Sequence, residues 1–425
     1  MASKIKSYLW VLLICSIIVR YSFSLSIAPN LFLSRFLIPL LSIFTISNVI
    51  QRLFGKKKIY FKIDLIILYS IITILWSINI HNYLIGLIYL ISNILVFILA
   101  DVFVYRYDIL ENTIKAMYVT FIISLVVGIY EILTWTHLPS SKYSVEYTWN
   151  IKIATSFFYN PNEFGIFIVL MLPIVYYFYL SSKTTFYKII NIFVILTSFF
   201  VLFYTNSRLS MIIAIVGIFI YKYLYDWFFK SKTYSYYVRS TLGKLALVLI
   251  IVILIINYEK IGIDNLRVFQ QISSVFKEFG NSDNSLAIRK TIVLTAFNIA
   301  INSFGAGIGL GQLSEYIPSY NWLIVSTNVH SYFLKIFSEI GIIGLFLILS
   351  IIFEIIRGLI IVIIRSDNSK MKLLSFSLMN SIIFLIFAGF GAETVPLNSI
   401  IWLTFGVSYA TIRINRKVIG LDNMK

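Results

Sequence analysis

Along most of this chain, apolar residues come in runs of about 20, with polar residues confined to short stretches between them. A run of that length, helical at 1.5 Å per residue, spans the roughly 30 Å hydrocarbon core of a bilayer. Twelve spans are predicted, at about 8–27, 31–50, 63–80, 84–104, 115–135, 162–181, 189–205, 209–227, 245–258, 331–353, 373–391 and 396–412. Two of the intervening segments are too long to be plain turns, 136–161 and 259–330. Inside the second, "SLAIRKTIVLTAFNIAINSF" (285–304) reads as an amphipathic helix capped by Ser285. Ile288, Ile292, Thr295, Ile299 and Asn302 run along one stripe of it, and the glycines at 305, 307, 309 and 311 end it. The expected fold class is an all-α polytopic membrane protein. It has one transmembrane domain over 1–425, about 12 helices and a small helical cap within 259–330.

Composition sharpens this picture. Hydrophobic residues make up 59% of the chain and charged residues 12%, and the mean hydropathy is +0.90. A soluble domain carries about 25% charged residues. A single cysteine, Cys15, excludes an internal disulfide and a cysteine-based metal cluster. Lys4 and Lys6 precede the first run as in a signal peptide, but no A-x-A-like site follows, so an uncleaved first span is expected.

The net charge of +17 invites a nucleic-acid partner, but its distribution points elsewhere. The basic residues gather at 4–6, 52–58, 106–115, 181–188, 230–244, 365–372 and 413–417, all on one side of the span count. Basic connections mark the cytoplasmic face, and anionic lipid headgroups rather than nucleic acid are the expected counter-charge. Both termini then lie inside, and the long segments lie outside.

Chemistry is therefore expected on the outer face. His330, in "STNVHSYFLKIFSEIGIIG" (326–344), stands where a polar loop becomes a span. Positions 330, 334, 337, 341 and 344 share one helix face, with Gly341 and Gly344 offering close approach to another helix. Glu339 is nine residues on, about 180° around the helix and about 14 Å deeper, so it is not a direct partner of His330. An interhelical hydrogen bond that holds the bundle suits it better. Arg208 is pinned at the outer boundary by the tight turn "TNSR". Its guanidinium fork fits phosphate oxygens, although snorkelling to headgroups is the plainer role. Arg289 lies near the start of the amphipathic helix beside Lys290, which suits a solvated surface better. "YNPNEFGIFI" (159–168) opens a span with Asn160 as cap, Pro161 at the first helical position, then Asn162 and Glu163. "GAGIGLG" (305–311) has no strand before it and reads as a turn rather than a phosphate loop. No spacing of His81 or His137 with Asp, Glu or Cys makes a metal site, and neither metal nor cofactor is expected.

Taken together, NPN at a span start, SR in a tight outer turn and an Arg in a long outer loop before a Gly-rich turn form an ordered set. With "HSYFLKIFSEIGIIG" opening the next span, the set resembles the O-antigen ligase and polymerase superfamily over about 150–355. The family's histidine motif usually reads H-N-x-x-L, and here Ser331 takes the second position.

The resemblance implies a GT-C-type glycosyltransferase acting without a metal on glycans carried by undecaprenyl diphosphate. Arg208, Arg289 and His330 match the family's functional positions, and Asn160 and Asn162 join them as candidate substrate-binding residues. It implies a polymerase for O-antigen, capsule or exopolysaccharide in the bacterial inner membrane, with its site facing the periplasm or outside. Lipid-linked oligosaccharides would be donor and acceptor, and a chain-length regulator protein is a candidate partner. A ligase to lipid A core is the alternative within the family, and a lipid-linked oligosaccharide flippase the alternative outside it.

Overall fold

The computed structural model describes residues 2–19, 33–55, 57–145, 152–230, 284–320, 329, 331–389 and 399–418. These form helices α1 (Ala2–Val19), α2 (Leu33–Phe44), α3 (Ile46–Leu53), α4 (Lys58–Ile72, extended by a 3-10 turn at Thr73–Trp76) and α5 (Ile80–Phe103). Then come α6 (Tyr107–Thr134), the short α7 (Lys142–Val145), α8 (Pro161–Ser181), α9 (Thr185–Tyr204) and α10 (Arg208–Phe229). The remainder are α11 (Asn284–Asn302), α12 (Leu313–Tyr320), α13 (Tyr332–Arg365), α14 (Ser369–Ala388) and α15 (Ser399–Val418). No strand occurs among the described residues.

Eight of these helices are long and apolar enough to cross a bilayer, or nine if the bent pair α2–α3 counts as one span. About twelve were expected. The span predicted at 245–258 lies outside the described residues. Of the span predicted at 8–27, residues 20–27 lie outside the described residues, and Lys6–Val19 of α1 is apolar; α15 ends in the basic run Arg413, Arg416 and Lys417. Both still pack into the bundle, α1 on α6 and α15 on α5. The second predicted span, 31–50, is not one helix, because α2 and α3 meet at 85°. The Thr45 hydroxyl donates to the Leu41 carbonyl at the bend, a local bond that competes with the helix ladder. Beyond it Ser47, Asn48, Gln51 and Arg52 are too polar for hydrocarbon, so α3 turns aside.

The buried centre of the bundle is α8 packed on α14, with α5 on α15 as the second extensive contact. Side-chain pairs fix the helix directions. Gly217 of α10 packs on the Phe384 ring of α14, and four residues on, the Tyr221 hydroxyl lies 3.0 Å from that of Ser377. The two helices are thus antiparallel, and α10 begins where α14 ends. The Tyr332 N–H donates to the Gly389 carbonyl at 2.8 Å, bringing the start of α13 to the same end.

The opposite end collects six of the seven basic segments, while the seventh, 230–244, lies almost wholly outside the described residues. There Asp101, fully buried, accepts from Arg52 Nε at 2.7 Å, Tyr60 Oη at 2.5 Å and Arg413 Nε at 2.6 Å. Arg413 Nη2 adds bonds to the carbonyls of Asp101 and Val104. One carboxylate so closes α3, α4, α5 and α15 together. The helix α1 runs parallel to α6, with Trp10 Nε1 donating to Thr113 and Cys15 beside Thr120. The described chain therefore starts and stops at this basic end.

Candidate functional site

At the end away from the basic segments, two helix starts touch. Asn160 caps α8 as its sequence predicts, its side-chain oxygen accepting from the Asn162 N–H at 2.9 Å with Pro161 in the first turn. Arg208 is the first residue of α10 and is exposed. A cation is electrostatically disfavoured at a helix N-terminus, so helix stability alone does not explain its place. Gly165 of α8 sits so close to α10 that a Cβ there would meet Ser207 Cβ at 2.8 Å and Ser210 Oγ at 2.9 Å. The Asn160–Asn162 turn and Arg208 thus open two neighbouring helices at the same end. Ser207 and Ser210, buried beneath them, share a 2.8 Å hydrogen bond.

A carboxylate that the sequence reading passed over holds this corner. Glu131, fully buried near the end of α6, accepts from Thr155 N at 2.7 Å, Thr155 Oγ1 at 3.0 Å and Ser156 N at 2.6 Å. Ala154 N donates to Tyr204 O at the end of α9, and the His137 ring nitrogen meets Ile153 O at 2.9 Å. The strap over 152–160 that leads into α8 is therefore fastened to α6 and α9 before it reaches Asn160. An acid at the close of an apolar run was the available signal in the sequence.

The second cluster centres on α13. This helix is 34 residues long, about 51 Å, well beyond a bilayer core. It breaks at Gly341, whose φ is 73° and ψ −173°. Residues 342–365, about 36 Å, suffice to span, which leaves 332–340 as a separate first segment. The helix begins where the expected span at 331–353 does and continues to Arg365, with the break at Gly341 as the unexpected feature. Gly341 does not admit another helix, since its open side faces the Gly305 carbonyl and Ala306, and Gly344 faces its own neighbour Ile340.

What fills the break is the 305–311 turn. Ile308 N donates to Ser338 O at 2.8 Å, Gly309 N to Glu339 O at 2.9 Å, and Ile342 N to Gly305 O at 2.8 Å. The backbone groups freed by the break thus find partners, as buried backbone must. Gly305, Gly307, Gly309 and Gly311 all have positive φ, which a side chain would resist. The reading of this stretch as a turn holds, and its attachment to α13 was not foreseen.

The amphipathic helix forms as α11, one residue earlier than expected, so Ser285 lies inside it rather than capping it. Ile292, Thr295 and Ile299 of the predicted stripe are buried, and Asn302 is exposed. Ala296 O accepts from Ser338 Oγ at 3.0 Å, and further along Gly305 O meets Ile342 N. The helix α11 therefore runs beside the first segment of α13 in the same direction. By helix rise alone, position 289 lies seven residues, about 10 Å, back along α11 from Ala296, as Ser331 does along α13 from Ser338. Ser331 caps α13, its hydroxyl accepting from Leu334 N. His330 itself lies outside the described residues.

The other face of the first segment, bearing Lys335 and Glu339, lines a cavity of about 190 Å³ with Asn82, Tyr89 and Trp402. Glu339 is buried, 4.0 Å from Lys335 Nζ. It faces α5 and α15, whereas Leu334, Phe337 and Ser338 face α11. The separation of Glu339 from the 330/334/337 stripe, argued from helix geometry, thus holds for the described members of that stripe.

Comparison with known proteins bears on the same segments. Residues 192–349 match the O-antigen ligase family model, Wzy_C, a stretch that contains Arg208, Arg289 and His330 but not Asn160 or Asn162. Across 362 residues the chain is 21% identical to the teichuronic acid biosynthesis protein TuaE of Bacillus subtilis (strain 168), covering 82% of this chain and 70% of that protein. Together they support a multi-pass membrane protein of polysaccharide biosynthesis, of the ligase or polymerase type. The resemblance read from the span-start and loop motifs, to the O-antigen ligase and polymerase superfamily, is borne out by both comparisons.

Proposed function

We propose that this chain is a polysaccharide polymerase that moves a growing glycan from undecaprenyl diphosphate onto a lipid-linked repeat unit. In this reading it is an inverting, metal-independent GT-C-type transferase whose site faces the outside of the bacterial inner membrane. The observation that carries it is the close packing of Gly165 on Ser207 and Ser210, which makes the helices that begin at the Asn160–Asn162 turn and at Arg208 neighbours at the end opposite the basic segments. Positive-inside charge makes the basic end cytoplasmic, which turns Arg208 outward to where lipid-linked glycans are assembled.

The chemistry is as follows. The acceptor sugar hydroxyl attacks C1 of the donor sugar opposite the diphosphate. The new C1–O bond forms as the old one breaks, and undecaprenyl diphosphate leaves with the bonding pair. Arg208 and Arg289 offset the charge growing on the diphosphate oxygens, a role that is strong in a low-dielectric boundary. Neutral His330 takes the proton of the attacking hydroxyl, a role suited to an imidazole, whose ordinary pKa lies near neutral. As a cation it would instead donate to the diphosphate, and an activity–pH profile separates the two, since the base role is lost on acidification. Asn160 and Asn162 contribute amide groups for substrate hydroxyls beside Arg208.

The family model's description as O-antigen ligase favours a second reading, transfer to a final acceptor such as lipid A core. A surface-glycan ladder from a deletion strain tests both. A single capped repeat means polymerase, whereas loss of surface glycan with lipid-linked polymer retained means ligase. A normal ladder would exclude both. Within the site, Arg208→Lys is expected to be nearly as inactive as Arg208→Ala, because an ammonium cannot make the two-pronged phosphate contact. Full activity from lysine would reduce Arg208 to a boundary charge.

A further inference from the structure

Gln312 is fully buried where the glycine turn leaves for α12, and it makes four hydrogen bonds. Its Oε1 accepts from Ile78 N at 3.0 Å and Asn79 N at 2.9 Å, while Nε2 donates to Asn79 O at 2.9 Å and Leu310 O at 3.2 Å. The segment it grips, 77–79, joins α4 to α5. That joint is itself fixed, with Tyr83 buried and its hydroxyl donating to Ser70 O at 2.9 Å. Two more side chains from the same frame hold the turn: Tyr69 Oη donates to Ala306 O and Trp76 Nε1 to Gly307 O, both at 2.8 Å. The turn then passes its position to α13 through the three backbone bonds around Gly341, and to α11 directly through the chain.

We infer that Gln312 is a positioning residue, which, through the 305–311 turn, fixes how deep α11 lies beside α13 and so the level of Arg289 relative to α13's first turn. The inference rests on the reading that Arg289 and His330 serve the transfer. A slip of one residue in the turn would shift α11 by about 1.5 Å and rotate it by about 100°. That would shift position 289 relative to Ser331. Only an amide of this length meets the frame's needs, because two backbone donors and two carbonyls converge on it. Glutamate cannot donate to the carbonyls, methionine satisfies neither kind of group, and asparagine is one methylene short.

The test uses the full-length chain in membranes, with Cys15 replaced by serine and cysteines in place of Phe297 and Phe337, whose rings lie 6.5 Å apart. Oxidative cross-linking of this pair reads the α11–α13 register without reference to activity. Gln312→Met and Gln312→Glu are expected to slow cross-linking severalfold. In the uncross-linked chain they should lower kcat about a hundredfold, the scale of an ångström-sized misplacement, with KM within about twofold. The milder Tyr69→Phe/Trp76→Phe chain keeps Gln312 and should move both readouts in the same direction by less, should the Gln312 variants accumulate poorly. Native cross-linking in the Gln312 variants would overturn the inference. So would a lower amount of protein whose remaining molecules keep normal cross-linking and kcat. If the unmodified chain transfers no glycan, the functional reading fails, and cross-linking alone judges the register.

Discussion

The two ends of the bundle solve the same problem with different materials. At the basic end, charge closes the structure: Asp101 takes Arg52 and Arg413 at once, and three of its four helices have no short connection to α15. At the other end two carboxylates hold neighbouring segments of chain without a cation. Glu131 accepts from the backbone of Thr155 and Ser156, and Glu315 accepts from the amides of Asn79 and Asn82 at 3.0 and 2.7 Å. Glycine backbone, not side chains, fills the break in α13. The positive-φ glycines let the turn's backbone approach α13 closely enough for these bonds, where a Cβ at Gly307 would meet Gly341 N at 2.5 Å. This end also presents Asn160, Asn162 and Arg208, the residues proposed to bind substrate.

The largest effect expected from breaking this contrast is at Asp101. Asp101→Ala leaves Arg413 buried against an empty site and removes the partner of Arg52. A buried pair broken on one side costs about 3–5 kcal/mol, so little folded protein should reach the membrane. Membrane protein level and thermal unfolding in detergent measure this. Asp101→Asn keeps the shape and part of the hydrogen bonding and should lie between the two. A well-folded, inactive Asp101→Asn chain would mean that the basic end does more than closure.

Glu131 comes next. Glu131→Gln retains a single acceptor oxygen for the strap and turns an amide donor toward Thr155 and Ser156, which also donate. A loss of about 1–3 kcal/mol is expected, felt as looser anchoring of 152–160 rather than unfolding of the bundle. Protease nicking of the strap should rise, and transfer should fall along with the placement of Asn160. Unchanged nicking with normal transfer would show that the strap's other contacts, to Tyr204 O and His137 among them, suffice to hold it. Lys290→Ala is expected to be mild, because the resemblance implies a role for Arg289 and not for its neighbour. A dead Lys290→Ala chain beside a healthy Arg289→Ala chain would reverse that assignment.

Features written locally were legible in the sequence. The Asn160 cap precedes its own helix, the Arg208 turn joins two adjacent spans, and the basic segments sort to one end because they fall between every second pair of apolar runs or at the chain's two ends. What could not be read depends on partners far away in the chain. Asp101 and Arg413 are 312 positions apart, so Arg52 and Arg413 looked like loop charges. Glu131 finds its partners 24 and 25 residues on, across a polar loop without periodicity. The bend at Thr45 hides because α3 continues the helical pattern while changing direction. Gly341 was misplaced for a related reason. Helical spacing put it on a packing face, but a glycine that terminates one segment and begins another follows no spacing, and its partner is a turn 36 residues upstream by the count from Gly305.

The smallest effect, and the finest test of the division between the two faces of α13, is at Glu339. Its side chain lines the cavity toward α5 and α15, and its backbone carbonyl anchors Gly309. Any substitution keeps the carbonyl, so the glycine turn should survive in both variants. Glu339→Gln preserves volume and loses the attraction to Lys335, which at 4.0 Å is long for a charge-assisted bond. Retained protein level and substantial glycan transfer are expected. Glu339→Ala opens the cavity and removes a buried polar group, which should lower the amount of folded protein without changing transfer per molecule. His330→Ala, by contrast, should abolish polymer at unchanged protein level. A surface-glycan ladder measured beside membrane protein level distinguishes the three. If Glu339→Gln accumulates normally yet makes no polymer, the glutamate is chemical. The cavity on its side of α13 would then belong to the reaction, and the separation of a scaffold face from a working face would fall.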